Sequence, residues 1–149
     1  MGTVLVQSDD FSVHKAYDEL VSNYPGAALA TFTGYVRDVG ASGDVHQLEL
    51  EHYPGMTERI LRELGQQAER RFELRGWSII HRYGCLEVNE PIVWVGVVAS
   101  HRVAAFEGCQ FLMDTLKTDA PFWKREHKTD GSAEWVTAND NDTLRRQRW

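Results

Sequence analysis

The sequence predicts an α+β domain on a mainly antiparallel sheet with about three helices. Three observations carry that reading. Strand-like stretches come in pairs with helical stretches between them, the run Pro91 to Ala99 is apolar on both faces, and two long segments repeat apolar residues at helical spacing.

Thr3 to Gln7 alternates weakly and reads as a short strand. Ser12 then caps a helix with Ala16, Tyr17, Leu20 and Val21 on one side, and Pro25-Gly26 ends it. Ala27 to Val36 is rich in small and β-branched residues, while in Val45 to Tyr53 the residues Leu48, Leu50 and His52 face away from Glu49 and Glu51; both are read as strands. Between them, Asp38 to Asp44 has turn composition and is expected to be a mobile loop. Pro54-Gly55 is a turn, after which Thr57 opens a helix carrying Ile60, Leu61, Leu64, Ala68 and Phe72, with Gly76 just past its end. Trp77 to Tyr83 and Pro91 to Ala99 are the next two strands, the second expected to be central. Ser100 is read as the cap of a third helix, which runs to about Lys117 with Ala105, Cys109, Leu112 and Leu116 along one stripe before Asp119-Ala120-Pro121 breaks it. Glu134 to Thr137 forms a last short strand, and composition makes the polar end, Asn139 to Trp149, a frayed tail.

The 149 residues fit one domain with no linker, and 42% hydrophobic with 26% charged residues is a globular composition. No apolar run approaches a membrane span, and Met1 to Asp10 lacks the pattern of a secretory signal, so cytoplasm is the expected compartment. A formal charge of −6 has the wrong sign for general nucleic-acid binding. Cys85 and Cys109 form no CxxC pair, and the histidines form no HxxxH or HExxH arrangement, so neither a metal nor a disulfide is expected. Both cysteines are read as structural thiols.

The chemistry concentrates in FLMDTLKTDAPFWKRE, residues 111 to 126, where an amphipathic helix gives way to what reads as a proline-broken loop carrying two lysines and two large aromatics. An ammonium held near apolar rings and a second cation loses part of its preference for the charged form, which suits it to acid, base or nucleophile work. Lys117 and Lys124 could be such a pair, although spacing alone also fits Lys117 as a cation at a helix C-terminus, with Phe122 and Trp123 in the core. Ser100-His101-Arg102 lies where an apolar strand turns into a helix, which joins unpaired N–H groups to two cationic side chains as an anion site would; a surface His-Arg pair is the plainer alternative. Arg37, ending TFTGYVRD, is a weaker candidate of the same kind.

Five segments, TFTGYVRD (31 to 38), LELEHYPGMTE (48 to 58), IIHRYG (79 to 84), SHR (100 to 102) and FLMDTLKTDAPFWKRE (111 to 126), resemble the large, catalytic subunit of molybdopterin synthase. The resemblance spans the chain almost end to end. It implies an α/β hammerhead-type fold and a homodimer within a heterotetramer, each end carrying a small ubiquitin-like carrier with a Gly-Gly thiocarboxylate tail. The implied reaction moves two sulfurs to cyclic pyranopterin monophosphate to form the molybdopterin dithiolene, without metal or organic cofactor. By the same resemblance Lys117 is the catalytic lysine with Lys124 beside it, Arg37, His101 and Arg102 anchor substrate, and Phe32 and Met113 stand near the pocket wall. Phe122 and Trp123 are expected to wall the channel for the carrier tail. Some relatives carry a basic residue where this chain has Asn139, and Arg145 or Arg146 could supply that charge if the tail folds back. Two rival readings stay open: a module that binds a phosphorylated small molecule without turnover, and an adaptor for a ubiquitin-like protein.

Overall fold

The computed structural model describes residues 1–40, 43–136 and 140–149. The chain runs β1 (Gly2–Gln7), α1 (Val13–Asn23), β2 (Ala28–Tyr35), β3 (Val39–Gly40), β4 (Gly43–His52), α2 (Met56–Phe72), β5 (Gly76–Arg82), β6 (Gly84–Glu87) and β7 (Pro91–Ala99). It continues with α3 (Arg102–Asp119), β8 (Phe122–Lys128), β9 (Ala133–Val136) and α4 (Asp140–Gln147).

One sheet has the order β1-β5-β7-β2, and the second has β3-β4-β8-β9 with β6 also paired to β4. Among the described strands only β1 and β5 pair in parallel. Strand alternation sorts the first sheet into two faces. Trp77 and Ile79 of β5 and Val93, Val95 and Val97 of β7 share a core with α2 and α3, through Leu61, Leu64, Ala68, Ala105 and Leu112. Ile80, Trp94 and Val98 point the other way and meet Ala16 and Leu20 of α1. The apolar strand thus lies inside the sheet because both faces are covered.

Close approach fixes the α2 side. A Cβ at Gly65 would stand 2.3 Å from the Trp77 ring, so only glycine lets α2 settle on this indole. The indole Nε1 donates to Glu69 at 2.9 Å, which satisfies a buried donor. At the start of α2, Gly55 has φ +84, a conformation that favours glycine, and its N–H donates to Glu58 at 2.6 Å.

Several expectations are corrected. Segment 122–128 is a strand rather than a loop, since β4 offers it a ladder from Val45 to His52. Gly84–Glu87 pairs with the opposite edge of β4. Val39–Gly40 pairs with Gly43–Asp44 within the stretch read as a loop, while residues 41 and 42 lie outside the described residues. The cap of α3 is His101, whose Nδ1 accepts from the Ala104 N–H at 3.4 Å, and not Ser100. The polar end forms α4 instead of a frayed tail, because Trp149 anchors it. The Trp149 Nε1 donates to the buried Asp114 at 2.6 Å, and its ring meets Phe72 and Phe111 edge-on at 5.6 and 5.7 Å. Arg146 adds bonds to both Asp119 oxygens at 3.2 and 3.0 Å.

Candidate functional site

The two sheets and the end of α3 meet around a cluster of rings and cations. On β5, His81 continues the row Trp77, Ile79, His81 that faces α2 and α3, so an imidazole stands where the pattern would put another apolar side chain. Phe122, the first residue of β8, stacks on it with ring centroids 3.7 Å apart and planes at 16°. His52, opposite Phe122 in the β4–β8 register, lies 6.1 Å from that ring and 4.4 Å from Tyr83. The HYPGMT turn holds His52 there: the buried Thr57 hydroxyl accepts from Tyr53 N–H at 3.1 Å, donates to Tyr53 O at 2.9 Å and stands 3.3 Å from His52 Nδ1.

Lys124 lies two residues beyond Phe122 on the same face of β8. Burial lowers its pKa from 10.5 to about 8, helped by the charges of Lys117 and Arg37 and opposed by Asp142 and Glu126. Lys117, exposed on the last turn of α3, and Arg37, exposed after β2, are therefore within electrostatic reach of Lys124. Burial also drives His81 down to about 3, with Lys124, Lys117 and His52 adding to the shift against a hydrogen bond to the Arg82 carbonyl. Lys124 and Lys117, from different elements, thus stand near a neutral imidazole, and Arg37 is in reach of Lys124. Such a place can hold an anion and tune a lysine.

The other predicted residues lie on several elements. Trp123 and Phe122 project from opposite faces of β8; Trp123 pairs with Glu51 and is 49% exposed. Met113 is packed in the main core. Phe32 stands 42% exposed on the edge strand β2, within contact of the space beside Gly34. His101 and Arg102 are exposed at the N-terminus of α3, the far end of an unbroken helix from Lys117. Arg146 is engaged by Asp119, and Arg145 lies 3.6 Å from Asp142. Asn139 lies outside the described residues. Cys109 is buried, and burial raises its thiol to about 11, whereas Cys85 is exposed on β6. Among the described residues no three His, Cys, Asp or Glu side chains gather as a metal cluster would.

His52, His81, Tyr83 and Asp142 were not singled out as site residues from the sequence. The signal for His81 was present: a polar side chain at the end of an apolar alternating row. Asp142 had none, since its position depends on α4 docking.

Comparison with known proteins agrees with the five segments. The profile of the family described as MoaE protein matches residues 6–119. A molybdopterin synthase catalytic subunit from Vibrio cholerae is 46% identical over 146 residues, covering 98% of this chain and 97% of the relative. A solved molybdopterin biosynthesis MoaE protein from Burkholderia ambifaria is 44% identical, with a TM-score of 0.83 over 100% of this chain and 99% of its own. One chain of a complex of subunits 1 and 2 of molybdopterin-converting factor from Helicobacter pylori shares the fold at 17% identity, with a TM-score of 0.71 over 93% of this chain and 90% of its own. With matched segments that include the cationic junction and both ends of α3, this chain belongs to the MoaE family, the catalytic subunits of molybdopterin synthase.

Proposed function

We propose that the junction of α3, β8 and β5 is where sulfur passes from a carrier thiocarboxylate to cyclic pyranopterin monophosphate. The observation that carries this reading is the meeting of Lys117 and Arg37 around the buried Lys124, which is brought down to about 8. A thiocarboxylate and a cyclic phosphate are both anions, and clustered ammonium and guanidinium groups favour them. Lys117 is the catalytic lysine, placed to polarise the thiocarboxylate carbonyl, move a proton or hold the acyl group; Lys124 supports it as the partly neutral amine. Arg37 takes the anionic end of the substrate, with Phe32 near the pocket wall and Met113 backing it from the core. Each transfer leaves the carrier tail as a carboxylate once water oxygen replaces the departed sulfur. No metal or organic cofactor enters this scheme.

His101 and Arg102 complete the site from a second copy. Their distance from Lys117 along α3 is about 24 Å at 1.5 Å per residue, too far for one pterin monophosphate to touch both. An isologous dimer brings the start of one α3 to the end of the other. Val103 at 54% and Phe106 at 67% exposure are apolar side chains on the first turns of α3 that such a contact would cover. The small ubiquitin-like carrier is the second partner, as a two-subunit assembly is in the Helicobacter pylori neighbour. Its tail runs past Phe122, while its body covers the rim where Trp123 is exposed. The chain works as one domain in the cytoplasm, and no described helix is long and apolar enough to cross a membrane.

The test mixes the chain with thiocarboxylated carrier and cyclic pyranopterin monophosphate, with product followed by mass spectrometry. Dithiolene should form, and Lys117→Ala should lower its rate by at least ~100-fold while the fold and carrier binding persist. Binding of both partners without any sulfur transfer would replace this reading with a binding module or adaptor.

A further inference from the structure

We propose that His81 is a positioning residue of this site: a neutral imidazole, fixed on the Arg82 carbonyl and stacked on Phe122, that keeps water away from Lys124. The inference rests on the role given to Lys124 above. Its geometric basis is independent of that role.

His81 is 4% exposed and lies on β5 between β1 and β7. Its Nδ1 is 2.8 Å from Arg82 O, and a carbonyl can only accept, so Nδ1 carries the proton and Nε2 the lone pair. The stack with Phe122 then fixes the entry to β8, and β8 carries Lys124 one alternation later. Burying an imidazole is costly unless its polar atoms are used, and a phenyl or leucine would serve packing alone equally well. The imidazole gives this position a flat ring and a donor to the Arg82 carbonyl, without the positive charge that an exposed histidine can take up. A fourth cation beside Lys117, Lys124 and Arg37 would raise the cost of the cluster. The groups facing Lys124 are Lys117 from α3, Asp142 from α4, Arg37 after β2 and Glu126 on β8 itself, with His52 of β4 and His81 of β5 around the stacked ring.

The experiment uses two variants and two readouts. His81→Phe keeps a ring for the stack and loses the donor; His81→Gln keeps a donor and loses the ring. Competitive acetylation of the full chain across pH reports the titration of Lys124 without requiring turnover. Loss of the ring lets water reach the amine, so in His81→Gln the midpoint should rise from about 8 toward 10.5, by on the order of one pH unit, while His81→Phe stays near the native midpoint. The pH profile of the single-turnover rate constant of the complex should move with it. An unmoved Lys124 midpoint in folded His81→Gln would overturn the proposal. A moved midpoint with an unmoved rate profile would leave the shielding role standing and refute the catalytic role of Lys124. If neither variant folds, ring-nitrogen NMR of the native chain decides: the Nδ1–H tautomer should persist unchanged at pH 5, and titration near 6.5 would refute the assignment.

Discussion

Subunit exchange tests the shared site most directly. α3 runs unbroken from Arg102 to Asp119, so His101 and Lys117 are separated by about 24 Å of helix at 1.5 Å rise per residue. Neither a lysine nor an arginine side chain bridges that distance. Lys117→Ala and Arg102→Ala should therefore each be inactive as homodimers, because every site loses one of its two groups. In a mixed dimer one site carries both lesions and the other carries neither. Random exchange of equal amounts makes about half the dimers mixed, and half of their sites are intact, so activity should return to roughly a quarter of wild type. Native mass spectrometry of differently tagged chains verifies exchange, and dithiolene formation is the assay. Verified mixed dimers without activity would refute the reasoning, since Arg102 would then not act on substrate held at the partner copy's Lys117.

Three further outcomes follow from particular contacts. Lys124 titrates near 8 when folded and near 10.5 when unfolded, so between those values the unfolded chain binds more protons and stability from this group rises with pH. Below pH 8 the native chain carries the full burial penalty, so any stability gained by Lys124→Met should be largest there and shrink toward pH 10.5; urea midpoints across pH measure it, and a constant difference contradicts the assignment. Trp149→Ala removes the bond to Asp114 and two edge-on ring contacts, and should cost roughly 1–3 kcal/mol for a partly buried aromatic. Hydrogen exchange should then quicken in α4 before it does in α3; equal protection would show that the indole is not the anchor. Phe122→Ala should slow sulfur transfer by loosening the stack on His81, whereas Trp123→Ala, on the opposite face, should weaken carrier affinity by calorimetry with less effect on kcat. Identical phenotypes for the two would refute the two-face arrangement.

What could be read from the sequence divides along the range of the interactions. Elements set by local periodicity came through closely: Pro91–Ala99 matches its expected bounds, Ser12 caps α1, and the apolar stripe of α3 is buried as expected. Elements that exist only through long-range pairing did not. β8 contains lysines, an arginine and a histidine that carry no β signal of their own, and becomes a strand because β4 supplies its ladder. α4 has an almost wholly polar sequence and is held by partners far off in the chain, Asp114 for the Trp149 indole, 35 positions away, and Asp119 for Arg146. The site follows the same rule. Lys117, Lys124 and Arg37 could be named from their segments, but that Phe122 meets His81 while Trp123 faces away is a property of register.

The charge at this junction is itself an argument about function. The chain has a formal charge of −6, yet Lys117, Lys124 and Arg37 converge where Lys124 is partly desolvated. Folding alone disfavours that grouping, because like charges repel more strongly as water is excluded. The C-terminal dipole of α3 compensates Lys117 on the last turn, and Asp142 and Glu126 offset part of the charge at Lys124. Those offsets are smaller than the burial penalty, since Lys124 still stands below its ordinary value. Positive charge left over in the unliganded chain is charge reserved for a ligand. Two anions fit that reserve, the tail of the carrier and the phosphate of the pterin, and binding either should return Lys124 toward its ordinary titration. A lysine that is most easily deprotonated when the site is empty, and most firmly protonated when it is full, can release or take up a proton as the anions arrive and leave.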